Sequence, residues 1–228
     1  MDNSFLNDSG SKTSLTKKQI INLCINEGDY SIADLSKELN ASFPTVTKLV
    51  GELIEEGYLE GLGKQGTSGG RRPSVYGLNP SAGFFVGVDV GRSHIHIAIT
   101  NFKGQLILYK EEISFTLENT AESISLFCKK IKTEVKDADI EWSKIKGCGI
   151  SVTGRVNSST GYSFSYFLGE DQPLNDLMAK ELGVPVTVEN DSRAMTFGEY
   201  LCGVCNNESN VLFINLSWGL GMGIIIDG

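Results

Sequence analysis

Residues 42–57 read SFPTVTKLVGELIEEG. Val46, Leu49, Val50, Leu53 and Ile54 recur at i, i+3, i+4, i+7 and i+8, which lays one apolar stripe along one face of a helix. Ser42 is placed to cap its start, Pro44 falls in the first turn where a missing N–H costs little, and Gly57 ends it. The other face carries Ser42, Thr45, Thr47 and Lys48, short hydroxyls and an ammonium that can reach bases or phosphates. An amphipathic helix in any helical core would show the same stripe, so its neighbours decide what it is.

Upstream, Ile20, Ile21, Leu23, Cys24 and Ile25 form a short helix over Leu15–Asn26, ended by Glu27 and Gly28. Residues 1–14 are expected to be a disordered tail. Ser31 caps a second helix with Asp34 in its first turn, and Ile32, Leu35 and Leu39 face inward. Asn40 suits the left-handed residue of the tight turn that follows. Two helices joined by so short a turn, the second amphipathic, read as a helix-turn-helix.

Downstream, short strands over Tyr58–Leu62 and Ser74–Leu78 flank GKQGTSGGRRP at 63–73. That is a hairpin with a Gly-rich basic tip, a wing. Lys64, Arg71 and Arg72 supply the positive charge, and Arg is drawn to the narrow minor groove. A Gly-Ser linker is the alternative; tandem Arg beside a helix-turn-helix favours the wing. Residues 15–80 are therefore expected to form a winged helix-turn-helix.

Composition limits what the rest can be. With 20 Lys and Arg against 28 Asp and Glu, the net charge is −8, which argues against a general nucleic-acid coat and confines any DNA contact to a local basic patch. No apolar run reaches the roughly 18 residues of a membrane span, and the first ten residues hold no apolar leader segment. Five scattered cysteines suit a reducing cytoplasm.

Asn79–Gly83 marks a boundary, and 81–228 reads as a second domain. Phe84–Val90 is a near-continuous apolar run, expected to be a buried strand. Strands follow over His94–Thr100 and Leu106–Ile113, then a helix over Asn119–Lys136 and a strand over Gly147–Val152. Leu174–Leu182 is a helix, Val184–Val188 a strand, Asp191–Cys202 a helix, and Val211–Leu216 and Gly223–Ile226 two strands. Three strands first and βα units afterwards give an α/β domain on a mixed sheet.

Three stretches carry candidate chemistry. Asp89-Val90-Gly91 lies where a strand ends, and can order a metal or water near a phosphate or simply make a turn. Asn190-Asp191 lies between a strand and a helix, at the carboxyl end where α/β sheets bind ligands. Asp191 there fits a base toward a sugar hydroxyl and Asn190 a hydroxyl partner; both residues also suit a helix cap. Gly219, Gly221 and Gly223 make either a phosphate cradle or a tight hairpin. Cys202 and Cys205 have half the spacing of a zinc knuckle with no second pair, and His94 and His96 share one side of a strand, so no metal site is expected.

Taken in order, these motifs resemble the sugar kinases of the actin/hexokinase-like (ribonuclease H-like) fold, and with a winged helix in front, the repressor branch of the ROK (repressor, open reading frame, kinase) family. The resemblance covers Leu15 to the last residue. It implies that Asp191 matches the family's catalytic base, Asn190 its sugar-binding neighbour, Asp89 and Gly91 the first phosphate motif, Gly219, Gly221 and Gly223 the second, and Arg71 and Arg72 an operator-reading wing. The kinase motifs are altered. Arg92 and Ser93 stand where the first motif has Gly and Thr, and Ser217 and Trp218 where the second has Gly and Thr. These changes argue against phosphoryl transfer, so no catalytic residue is expected. The resemblance also implies a zinc motif and further sugar ligands beyond Gly228, so the chain reads as truncated and no cofactor is expected within it. The expected partners are a double-stranded DNA operator, a sugar or sugar-phosphate effector and a second copy of the chain, with no membrane. An ATP-dependent sugar kinase with an added DNA-binding domain is the alternative, and a protein-binding winged helix a third reading.

Overall fold

The computed structural model describes residues 11–64, 73–165, 172–205, 208–217 and 219–228. They fall into two units, one running to Gly83 and also taking in Asn101–Gln105, the other comprising Phe84–Thr100 and Leu106–Gly228.

In the first unit, α1 spans Lys12–Glu27. The Ser11 hydroxyl accepts from the Ser14 N–H, so the helix starts ahead of the expected Leu15, and 11–14 are cap and first turn rather than tail. After β1 (Tyr30–Ser31), Ser31 caps α2 (Ile32–Glu38). Asn40 takes the left-handed turn, with φ of 47°. The quoted stretch forms α3 (Phe43–Glu55), capped by Ser42, with Gly57 at φ of 81° beyond its end.

Strands β2 (Leu59–Lys64) and β3 (Ser74–Leu78) pair antiparallel, and β1, which no periodicity announced, adds to the other side of β3. Arg71 and Arg72, and the side chain of Lys64, lie outside the described residues. The core of this unit joins Ile20, Leu35, Val46, Leu53 and Leu59. Ile54 does not join the stripe and is 37% exposed. Eight residues past Val46 a helix has turned roughly 80° beyond two full turns, which carries Ile54 to the stripe's edge. Asn101–Gln105 contributes the Phe102 ring, packed on Tyr58 at 5.6 Å between centroids, and Lys103, whose Nζ is 3.5 Å from Asp29.

The second unit is built on a five-stranded sheet ordered β10-β7-β4-β5-β6. Its strands are β4 (Phe84–Val90), β5 (His94–Asn101), β6 (Leu106–Ser114), β7 (Ile145–Val152) and β10 (Val186–Asn190). β4, β7 and β10 run parallel while β5 and β6 pair antiparallel, the mixed sheet expected. Helices α4 (Ala121–Asp137) and α5 (Leu174–Leu182) pack on it through Phe127, Ile131, Leu174 and Met178. β4 is not buried on both sides as its apolar run suggested: Val86, Val88 and Val90 are buried, and Phe85 is 41% exposed. The reason is that its alternate residues, Val86, Val88 and Val90, share one core with α4 and α5, so Phe85 points to the opposite face. A short ribbon, β8 (Val156–Asn157) with β9 (Tyr162–Ser163), precedes α5. Helix α6 (Asp191–Cys202) follows β10 directly, and the hairpin of β11 (Val211–Leu216) and β12 (Leu220–Ile225) packs against it.

Candidate functional site

Two places combine exposure with chemistry, one in each unit. The first is the start of α3. The Ser42 hydroxyl accepts from the Thr45 N–H at 3.4 Å and pairs with the Thr45 hydroxyl at 2.8 Å. The Thr47 hydroxyl donates to the Phe43 carbonyl at 2.8 Å. Lys48 is 76% exposed, with its ammonium 3.8 Å from Glu52. Thus Ser42, Thr45, Thr47 and Lys48 all lie on the exposed surface of α3, as their spacing suggested. Phe43, which the sequence reading passed over, lies there too, 57% exposed.

The helix is tied along one flank by an ion triad. Lys17 of α1 is buried, 2.8 Å from Glu52 and 2.6 Å from Glu56. Burial pulls its pKa down, but the hydrogen bonds to Glu52 and Glu56 outweigh that and leave it raised. The hydrogen bond from Lys17 lowers the pKa of Glu52. The triad joins α1 to the second half of α3.

The second place is a cleft of about 1020 Å³ in the α/β unit. Asp89, Gly91, Asn190, Asp191, Gly219 and Gly221 all line it, far apart in sequence and brought together by the carboxyl ends of β4 and β10 and the β11–β12 hairpin. Asp89 pairs in register with Ser151 of β7, whose hydroxyl donates to the Asp89 carboxylate. The Gly91 N–H donates to the His94 carbonyl at 2.9 Å, and a Cβ on Gly91 would sit 3.0 Å from that same oxygen. Gly91 therefore closes the turn between β4 and β5, and its N–H is already taken.

Asn190 does what a cap does, its Oδ1 accepting from the Arg193 N–H at 3.0 Å. Its amide also donates to the Gly154 carbonyl and to Asp191 Oδ1, both at 2.8 Å. Asp191 Oδ1 further accepts from the Ser192 N–H at 2.6 Å. Among the described residues, Asp191 Oδ2 accepts nothing. One oxygen is anchored and the other is left for the cleft, the arrangement of an oriented carboxylate.

The glycines after β11 divide. A Cβ on Gly221 would meet Ser192 Oγ at 1.9 Å, and one on Gly223 would meet Thr196 Oγ1 at 1.8 Å. Both sit within β12, where the absence of a side chain lets α6 lie close. Gly223 is not among the cleft-lining residues; Gly219 is, and a Cβ added there would meet no described atom within 4 Å outside its chain neighbours. Trp218 lies outside the described residues.

The sequence reading missed Glu112. It lines the cleft at φ of 53°, in a bulge where two residues of β6 face His96 of β5. Arg92, His94 and His96 line the same cleft. Among the described residues no group of three or more His, Cys, Asp or Glu is placed to hold a metal ion, and no helix is long and apolar enough to cross a membrane.

Known proteins resemble the chain in both units. Residues 85–228 match the family described as ROK family, and residues 14–60 match the winged helix-turn-helix DNA-binding family. The chain is 29% identical over 216 residues to the xylose repressor of Caldicellulosiruptor bescii, covering 93% of this chain and 54% of that protein. It is 32% identical over 147 residues to the glucokinase of Streptomyces coelicolor, covering 63% of this chain and 44% of that one. The crystal structure of a ROK family transcriptional regulator, a homologue of the E. coli Mlc protein, superposes with a TM-score of 0.72 at 22% identity, covering 95% of this chain and 55% of that one. The chain thus spans about half the length of the relatives it matches. The fold is a winged helix-turn-helix followed by an α/β domain of the actin/hexokinase-like kind.

Proposed function

The chain belongs to the ROK family, and we propose that it acts as a sugar-responsive, DNA-binding transcriptional regulator, a repressor of carbohydrate-use genes. The observation that carries this reading is coverage. The match to the xylose repressor runs through both units, 216 residues, whereas the match to the glucokinase spans only 147. In this reading, 15–80 docks on an operator and 81–228 senses the effector, in the cytoplasm. Ser42, Thr45, Thr47 and Lys48 face the major groove, and Lys64, Arg71 and Arg72 reach the flanking minor groove. A two-fold dimer sets two copies of α3 in successive major grooves, roughly 34 Å apart. Asn190 and Asp191 take hydroxyls of a sugar or sugar phosphate. The effector lowers DNA affinity by binding the non-docking arrangement more tightly, a population shift.

The test is competition. Duplex-bound chain is titrated with pentoses, hexoses and their phosphates, and release of the duplex is read by anisotropy. One of them is expected to release the duplex from the wild type, and Asp191→Asn is expected to bind the duplex normally and ignore that ligand. Release unaffected by Asp191→Asn would remove Asp191 from the effector site.

A second reading, an ATP-dependent sugar kinase, is favoured by the glucokinase similarity and by the oriented Asp191 carboxylate. Against it stand Arg92 in the first phosphate motif, Trp218 in the second, and a Gly91 N–H already donated to His94. An ADP-release assay over the same sugars separates the two, since turnover that disappears in Asp191→Asn belongs to a kinase alone.

A further inference from the structure

The start of α3 is the part of a helix-turn-helix that faces base edges, and here it reads Ser-Phe-Pro-Thr-Val-Thr-Lys over 42–48. Guanine and adenine are read by paired hydrogen bonds from Arg, Lys, Asn or Gln. Arg, Asn and Gln are absent from this segment, and Lys48 is its one long donor. The hydroxyls are largely committed within the helix: Thr47 donates to the Phe43 carbonyl, and those of Ser42 and Thr45 pair with each other. What the exposed surface offers besides is carbon, in the Phe43 ring, in Pro44 and in the exposed residues Thr45 and Thr47.

Single exposed apolar side chains are ordinary on a protein surface. This one stands at the first position of the helix, where the backbone dipole is positive. The far end carries Glu55, and Glu52 and Glu56, whose charge Lys17 offsets in part. The helix dipole therefore favours approach of the Phe43 end to the phosphates over the Glu-bearing end. The apolar feature that the major groove offers is the thymine 5-methyl group.

We propose that Phe43, helped by Thr47 one turn along the same side of α3, reads thymine methyl groups, so that the bases under this side of α3 are specified by apolar contact rather than by a hydrogen-bond code. This rests on the DNA-binding reading above. Lys48 then contributes phosphate affinity more than base choice.

The experiment selects duplexes with the full 228-residue chain from a random-sequence pool, then remakes the retained duplex with deoxyuridine in place of each thymidine in turn. That change removes one methyl group and leaves every hydrogen-bonding edge intact. At positions under α3 the Kd is expected to rise about fourfold for each methyl removed, the factor that burying one methyl-sized group is worth. Phe43→Ala, a change at an exposed position, is expected to lose most of that difference at the thymine Phe43 covers. Sequence-specific binding that is indifferent to every thymine methyl overturns the proposal and leaves the DNA-binding function standing. Retention of no sequence above the starting pool overturns the DNA-binding function, and this inference with it.

Discussion

Lys17 shows how one buried ammonium ties α1 to α3. Replacing it with Met leaves Glu52 and Glu56 without the ammonium between them. Both carboxylates keep partial access to water, so the destabilisation is expected to be about 1–2 kcal/mol, below the 3–5 of a fully buried pair. The pH dependence follows from the signs. The Glu52 pKa is depressed in the fold, so its share is fully present above the unfolded carboxylate value of about 4.3 and is lost as pH falls through the folded one. The Lys17 pKa is raised, so its share is present below about 10.4 and is lost as pH rises through the folded value. Urea titrations of wild type and Lys17→Met should therefore differ most between these limits and converge in acid. A gap that persists below the folded Glu52 pKa would mean that the ammonium acts through packing alone. At this scale the sequence was legible where signals are local. Ser31, Ser42 and Asn190 cap as their identities suggested, and Asn40 takes the left-handed turn. Glu112 and the partners of Lys17 were not legible, because a bulge and a partner 39 residues away leave no mark on neighbouring positions.

Between elements, the packing of α6 on β12 explains glycines that a motif reading assigns to phosphate. Gly221→Ala puts a Cβ 1.9 Å from Ser192 Oγ. Overpacking of this kind costs roughly 1–3 kcal/mol, and Ser192→Ala in the same chain should return most of it, because the nearest remaining Ser192 atom would then be its Cβ, 3.0 Å away. A double variant no more stable than Gly221→Ala alone would show that the strain lies elsewhere. The boundaries of α5 and α6 fall where the sequence placed them, at Leu174–Leu182 and Asp191–Cys202. Gly183 in the left-handed conformation and the Asn190 cap mark those ends in the chain itself. β1 was not legible because two residues are too few to carry a period, and the exposed side of β4 was not because an apolar run does not say which faces find a helix.

For the whole molecule, a net charge of −8 means that DNA affinity must come from a small local patch and be steep in salt. Arg71→Ala with Arg72→Ala is expected to weaken binding and to lower the salt slope by about 0.9 for each phosphate no longer neutralised. An unchanged affinity and slope would take these arginines out of the interface. The order of the two units was legible in the sequence, since a 3.6-residue period and a basic hairpin give way to strand runs after Gly83. That the six cleft-lining positions converge was implied by the family resemblance and not legible from spacing, because they are spread from Asp89 to Gly221. The central claim, that this chain reads DNA on behalf of sugar metabolism, is tested most directly by selection from sheared genomic DNA at physiological salt, with the retained fragments sequenced. The account predicts enrichment of a shared near-palindrome upstream of sugar-use genes. Retained fragments with no common sequence would contradict it.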